Sequence, residues 1–161
     1  MYEILGYRDK DKSFSLRKLK ELNEAIIVYS NEWMKDARFT VAVKYYHNEL
    51  EKPFIIVDDM YMELDQAIKE FVILHEIGHI KSKGNMDSNT NYFSDRSKFT
   101  RNGKIHPAEL NADLYALRHM EMDNKDKFIN GLHRMKHQLP FIAQKEWDLR
   151  IENMKKYLGM I

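Results

Sequence analysis

Apolar residues recur along this chain at spacings that predict both helices and strands. From residue 65 to about 83, Ile68, Val72, His75 and His79 fall on one side of a helix. Phe71, Leu74 and Gly78 fall on a second side, and Ile73, Ile77 and Ile80 on a third. A helix that is apolar all round is a buried helix. Asp65 stands where an N-cap belongs, Lys81 and Lys83 sit at the C-terminal end, and Gly84 suits the residue after it. Upstream, Leu19, Leu22, Ile26, Tyr29 and Trp33 recur at three- and four-residue spacing. They predict an amphipathic helix over about 16–35, capped by Ser15 and packed on a sheet, with the β-prone run 25–29 as the point where it would end early. Residues 1–14 are charged and irregular apart from Tyr2, Ile4, Leu5 and Tyr7, and read as an arm lying on the domain.

Phe39, Val41, Val43 and Tyr45 alternate with their neighbours, which predicts a half-buried strand. After a polar turn over 48–52, Pro53 opens a second strand, Phe54-Ile55-Ile56-Val57. Its unbroken apolar run suits burial on both faces, and the two runs are close enough to pair as an antiparallel hairpin. One of these strands at a sheet edge would offer a place for an extended peptide to add as a further strand. Asp58 and Asp59 read as solvated loop charges rather than a second cation site. Residues 85–105 form a polar segment with Tyr92, Phe93 and Phe99 as anchors, expected to line or cover a cleft. Pro107 suits the first turn of a helix. Asp123 is expected to cap a helix over about 124–138, with Phe128, Ile129, Leu132 and Met135 as its apolar stripe. Pro140 breaks the chain before a last helix over 141–158, whose buried side would carry Ile142, Trp147, Ile151, Met154 and Leu158.

The chemistry concentrates in the buried helix, which contains His75-Glu76-Ile77-Gly78-His79, the pattern H-E-x-x-H. Residues four apart share a helix face, so both imidazoles can point at one metal ion. Glu76 lies about 100° round the helix from His75, placed to take a proton from a metal-activated water without being a ligand. Short motifs of this kind also arise by chance, in about two chains per hundred of this composition, so the setting matters. Two histidines and a glutamate on a buried helix need partners, and a metal supplies one. Gly78, costly in a helix interior by about 1 kcal/mol, would let another backbone approach.

A third ligand is expected from the helix that Pro107 opens. Glu109 and Asp113 share a face there, with small Ala112 and Ala116 beside them. Glu109 would complete a two-His, one-Glu set that leaves a fourth position open for water. Asp113 would accept a hydrogen bond from the far nitrogen of one histidine and fix its tautomer. His106 is a rival ligand or an oxyanion donor, and Tyr92 and Tyr115 are further candidate donors. His133 and His137, also four apart but among polar neighbours, read as a surface pair.

His75-Glu76-x-x-His79 followed by Glu109-x-x-Ala112-Asp113-x-Tyr115-Ala116 resembles the gluzincin pattern, and more narrowly the ImmA/IrrE-type metallopeptidases of bacteria and their mobile elements. Phe71, ahead of the first histidine, fits that resemblance, which spans roughly residues 54–117. The resemblance implies a zinc endopeptidase of limited specificity that cleaves or inactivates a protein partner such as a repressor. The alternative is a regulatory binding module that keeps the zinc site with little or no proteolysis, and a non-proteolytic zinc hydrolase would share the same donors.

Composition narrows the setting. The 161 residues suit one domain, and 43% apolar with 32% charged is ordinary for a soluble globular chain. A net charge of +1 announces no nucleic-acid-binding face. There is no cysteine, hence no disulfide framework and no thiolate zinc site, and residues 1–20 lack the apolar run of a signal peptide. The expectation is a cytoplasmic α+β protein with no membrane span. It is a zincin-like single domain over 1–161, with a small antiparallel-rich sheet beside the H-E-x-x-H helix, flanking helices, a core over about 16–120 and C-terminal helices over about 124–158.

Overall fold

The structure is a computed structural model describing residues 2–9, 11–34, 41–44, 52–82, 102–139 and 141–161. Among these, strands and helices combine in an α+β arrangement, and the chain divides into two compact units, Met1–Leu64 and Asp65–Ile161.

The first unit is built on a five-stranded sheet of order β1-β2-β3-β5-β4. Its strands are β1 (Ile4–Asp9), β2 (Lys12–Glu21), β3 (Ile26–Tyr29), β4 (Val41–Lys44) and β5 (Phe54–Val57). Two expectations are overturned here. The stretch expected to be an arm instead carries β1 and the start of β2, which pair in antiparallel fashion with Tyr7 opposite Phe14. The helix expected over 16–35 is instead β2, β3 and the short helix α1 (Asn31–Met34). Its apolar residues at helical spacing belong to separate elements, and within β2 the alternation is that of a strand. Ser13 and Ser15 are exposed while Leu16 is buried and Phe14 half-buried. Ser15 therefore caps nothing.

The hairpin of β4 and β5 forms as expected, antiparallel, with Val43 opposite Ile55. All four residues of β5 are buried, and the reason is the neighbour the sequence did not announce. β3 pairs with β5 in parallel, Val28 beside Ile56, so β5 lies inside the sheet and β4 at an edge. The sheet is thus mainly antiparallel with one parallel pair. Tyr7, Leu16, Ile26, Val28, Met34, Phe54 and Ile56 cluster into one core, with Leu5, Phe14 and Trp33 packed against it. Asp58 and Asp59 have structural partners. Asp58 caps α2 (Asp59–Met62) by accepting from the Tyr61 amide at 3.1 Å. Asp59 accepts from the Tyr29 hydroxyl and from Asn31.

Among its described residues the second unit is helical: α3 (Gln66–Lys81), α4 (Pro107–His119), α5 (Lys125–Lys136) and α6 (Phe141–Tyr157). α3 matches the expected helix and is buried on nearly every side, from Ile68 to His79. Asp65 holds its N-cap position without a side-chain cap bond and pairs with Arg134 instead. Asn124, not Asp123, caps α5, its side chain accepting from the Lys127 amide at 3.0 Å. The amide Oδ1 of a residue directly before the first turn reaches that N–H. Phe128, Ile129, Leu132 and Met135 are buried on α5, and Trp147, Ile151 and Met154 on α6, as their stripes predict. Trp147 ties the two helices by donating its indole N–H to the Leu132 carbonyl at 2.8 Å. No helix among the described residues is long and apolar enough to cross a membrane.

Candidate metal centre

α3 and α4 meet at Gly78. A Cβ built on Gly78 would lie 3.0 Å from the Ala112 Cα and 3.3 Å from the Ala112 carbonyl oxygen. The missing side chain on one helix and the small one on the other bring the two backbones together. This closeness carries Glu109, on the first turn of α4, to the histidines of α3.

His75, His79 and Glu109 are all buried, and one ligand atom from each lies within 4.8 Å of the others. His75 and His79 face one another through their Nε2 atoms at 3.1 Å. Glu109 Oε1 is 3.0 Å from His79 Nε2, and Oε2 is 3.4 Å from His75 Nε2. The three side chains can hold a metal ion. Asp113, one turn further along α4, accepts from His75 Nδ1 at 2.8 Å. Because a carboxylate can only accept, that bond puts a proton on Nδ1, so Nε2, which faces Glu109 and His79, is the nitrogen that gives up its proton when a metal binds.

The electrostatics follow from burial and charge. Burial alone would lower the pKa of His75, but the Glu109 and Asp113 carboxylates outweigh it and raise it to about 9. Burial pushes Glu76 up, opposed by the two neighbouring imidazoles. It also pushes Glu109 and Asp113 up, yet Arg150 and the imidazoles win, and Glu109 is held well below the usual carboxylate range.

Arg150 is the residue that sequence reasoning missed. It lies on α6, is 6% exposed, and grips Asp113 with both arms of its fork, Nε to Oδ2 at 2.8 Å and Nη2 to Oδ1 at 2.6 Å. Its Nη1 stands 3.2 Å from Glu109 Oε2. A signal existed. Arg150 follows Trp147 by three and precedes Met154 by four, so a charged residue stands on an apolar face. Buried Glu146, one turn earlier, stands on the same side.

The candidate oxyanion donors fare differently. His106 caps α4, its Nδ1 accepting from the Ala108 amide at 3.1 Å, and it is not among the three converging ligands. Tyr115 packs its Cβ near Gly78 and stacks its ring on His119, with centroids 4.1 Å apart. Tyr92 and Gly84 lie outside the described residues, as do Phe93 and Phe99. His133 and His137 are exposed, as a surface pair should be. Comparison with models of protein families, with curated proteins and with solved structures finds no match for this chain.

Proposed function

We propose that the chain is a zinc-dependent endopeptidase of zincin-like fold, hydrolysing a peptide bond in a specific protein partner. The observation that carries the reading is the convergence of His75, His79 and Glu109, with Glu76 next to the first histidine in sequence. The donor set fits the ion. Atoms ligating a tetrahedral zinc at about 2.0–2.1 Å stand about 3.3 Å apart, and the separations here are 3.1, 3.0 and 3.4 Å. Nitrogen and carboxylate donors without thiolates, three from the protein, suit a catalytic rather than a closed structural site.

A zinc ion held there would supply a Lewis acid that polarises a carbonyl and makes water nucleophilic near neutral pH. The chain's own residues do the rest. Asp113 holds the His75 ring in the tautomer that offers Nε2. Glu76, its carboxyl raised by burial, takes the proton of the attacking water and returns it to the leaving amine. The resemblance noted above favours a transcriptional regulator as the substrate.

Glu76→Gln tests the reading. It should leave zinc bound while lowering cleavage of a candidate partner by about 100-fold or more. Full turnover in the variant would remove Glu76 from the role of base. A zinc-loaded wild-type protein that binds its partner but releases no products would favour the binding-module alternative.

A further inference from the structure

We propose that Arg150 is a positioning residue of the metal centre: its guanidinium holds the Glu109 and Asp113 carboxylates in their working orientation and keeps the donor set assembled across α3 and α4. The inference rests on the metal-centre part of the reading above and not on the peptidase part.

Three features of the geometry carry it. First, the guanidinium is directed at the centre with all three nitrogens. Nε and Nη2 engage the two oxygens of Asp113, and Nη1 faces Glu109 Oε2. Glu109 and Asp113 are one turn apart on α4, so a single planar fork spans the carboxylate that would bind metal and the one that orients His75. Arg150 Nη2 and His75 Nδ1 are 3.3 Å apart, and as two donors they share one acceptor, Asp113 Oδ1. The orientation of His75 therefore depends on a carboxylate whose own orientation depends on Arg150.

Second, Arg150 is itself held in place. Its guanidinium lies 4.4 Å from the Trp147 ring centre. That ring is fixed by its bond to the Leu132 carbonyl, and Ile151 and Met154 bury the same helix face. Lys136 anchors the exposed side of α6 to α5 through Asp148 at 2.8 Å. A support this rigid can transmit position, which a side chain on a loop cannot.

Third, charge alone does not explain the arrangement. One guanidinium and two carboxylates sum to −1, and a dication entering the centre meets the positive charge of Arg150 as well as the negative charges of Glu109 and Asp113. Attraction of metal would be better served without Arg150. What the fork adds is direction: it fixes the rotation of both carboxylates before any ion arrives.

The experiment uses the full chain with Arg150→Lys, which keeps the charge but not the fork, and Arg150→Met, which keeps only the stem. Two properties are read: the visible absorption bands of the cobalt(II)-substituted protein, which report ligand geometry, and the rate at which a chelator removes zinc. Both variants should show altered cobalt bands and lose zinc about tenfold faster or more, with Arg150→Met the more affected. If Arg150→Met fails to fold, Arg150→Lys decides alone. Cobalt bands and zinc release in Arg150→Lys indistinguishable from wild type would overturn the proposal, as would zinc held more tightly. A wild-type protein that takes up neither ion would overturn the metal-centre reading and this inference with it. Wild-type uptake with unchanged variants overturns the inference alone.

Discussion

Gly78 stands beside His79 in a helix interior, where glycine costs about 1 kcal/mol relative to alanine. Alanine there would nonetheless be harmful. Its Cβ would meet the Ala112 Cα at 3.0 Å and the Tyr115 Cβ at 3.2 Å, and backbone cannot rotate aside as a side-chain tip can. Gly78→Ala should destabilise the protein by about 1–3 kcal/mol, as overpacking does, and weaken zinc binding by moving Glu109 away from the histidines. Urea denaturation with a parallel zinc titration checks both, and unchanged values would mean that α4 yields. Glu109→Ala should lower zinc content, read by elemental mass spectrometry. Equal zinc in both proteins would move the third ligand elsewhere. Most of this centre was legible because its spacing is local: 75 and 79, 109 and 113, each one helical turn. Arg150 was not read, although a charged residue on the Trp147–Met154 face was visible, because its partner Asp113 is 37 positions away and nothing local pairs them.

The strands teach a different lesson. β3 and β5 pair in parallel across a connection that includes α1 and β4, and this makes β5 an inner strand. Ile56 is fully buried within it. Ile56→Ala should cost roughly 2–5 kcal/mol, measured by denaturation, and a loss near zero would contradict its interior position. β5 itself was readable, because a four-residue apolar run after a proline has few other fates. β2 was not, because Leu19, Leu22, Ile26, Tyr29 and Trp33 fit a helical period while belonging to β2, a connecting turn, β3 and α1. Periodicity names a face only if the residues share one element, and the chain alone does not say where an element ends.

Across the molecule, the buried charges link stability to pH. In metal-free protein the His75 pKa is raised from 6.5 to about 9. Its contribution is therefore fully present below about 6.5 and lost as pH rises through 9. Glu109 and Asp113 are lowered, so their contributions are present above the usual carboxylate range and lost as pH falls through their folded values. Melting temperature in the presence of a chelator should thus peak between about pH 4.5 and 6.5 for this cluster and decline toward pH 9. Zinc should flatten the alkaline decline, because the ion takes the place of the His75 proton. A chelated protein equally stable at pH 6.5 and 9 would contradict the assigned environment of His75.

What the amino-acid order determined by itself is what lies within a few residues: helix α3 with its paired imidazoles, the Glu109–Asp113 face of α4, strand β5, and the stripes of α5 and α6. Steric periods of 3.6 and 2 residues act locally, so they can be read locally. The tertiary structure alone decided the rest. It made strands of Ile4–Asp9, Lys12–Glu21 and Ile26–Tyr29 by giving them partners, placed β3 beside β5, brought Ala112 against Gly78, and set the Arg150 fork across Glu109 and Asp113. Strand pairing, close helix contact and a buried ion network all draw their energy from groups far apart in sequence, and that energy exists only once the chain has brought those groups together.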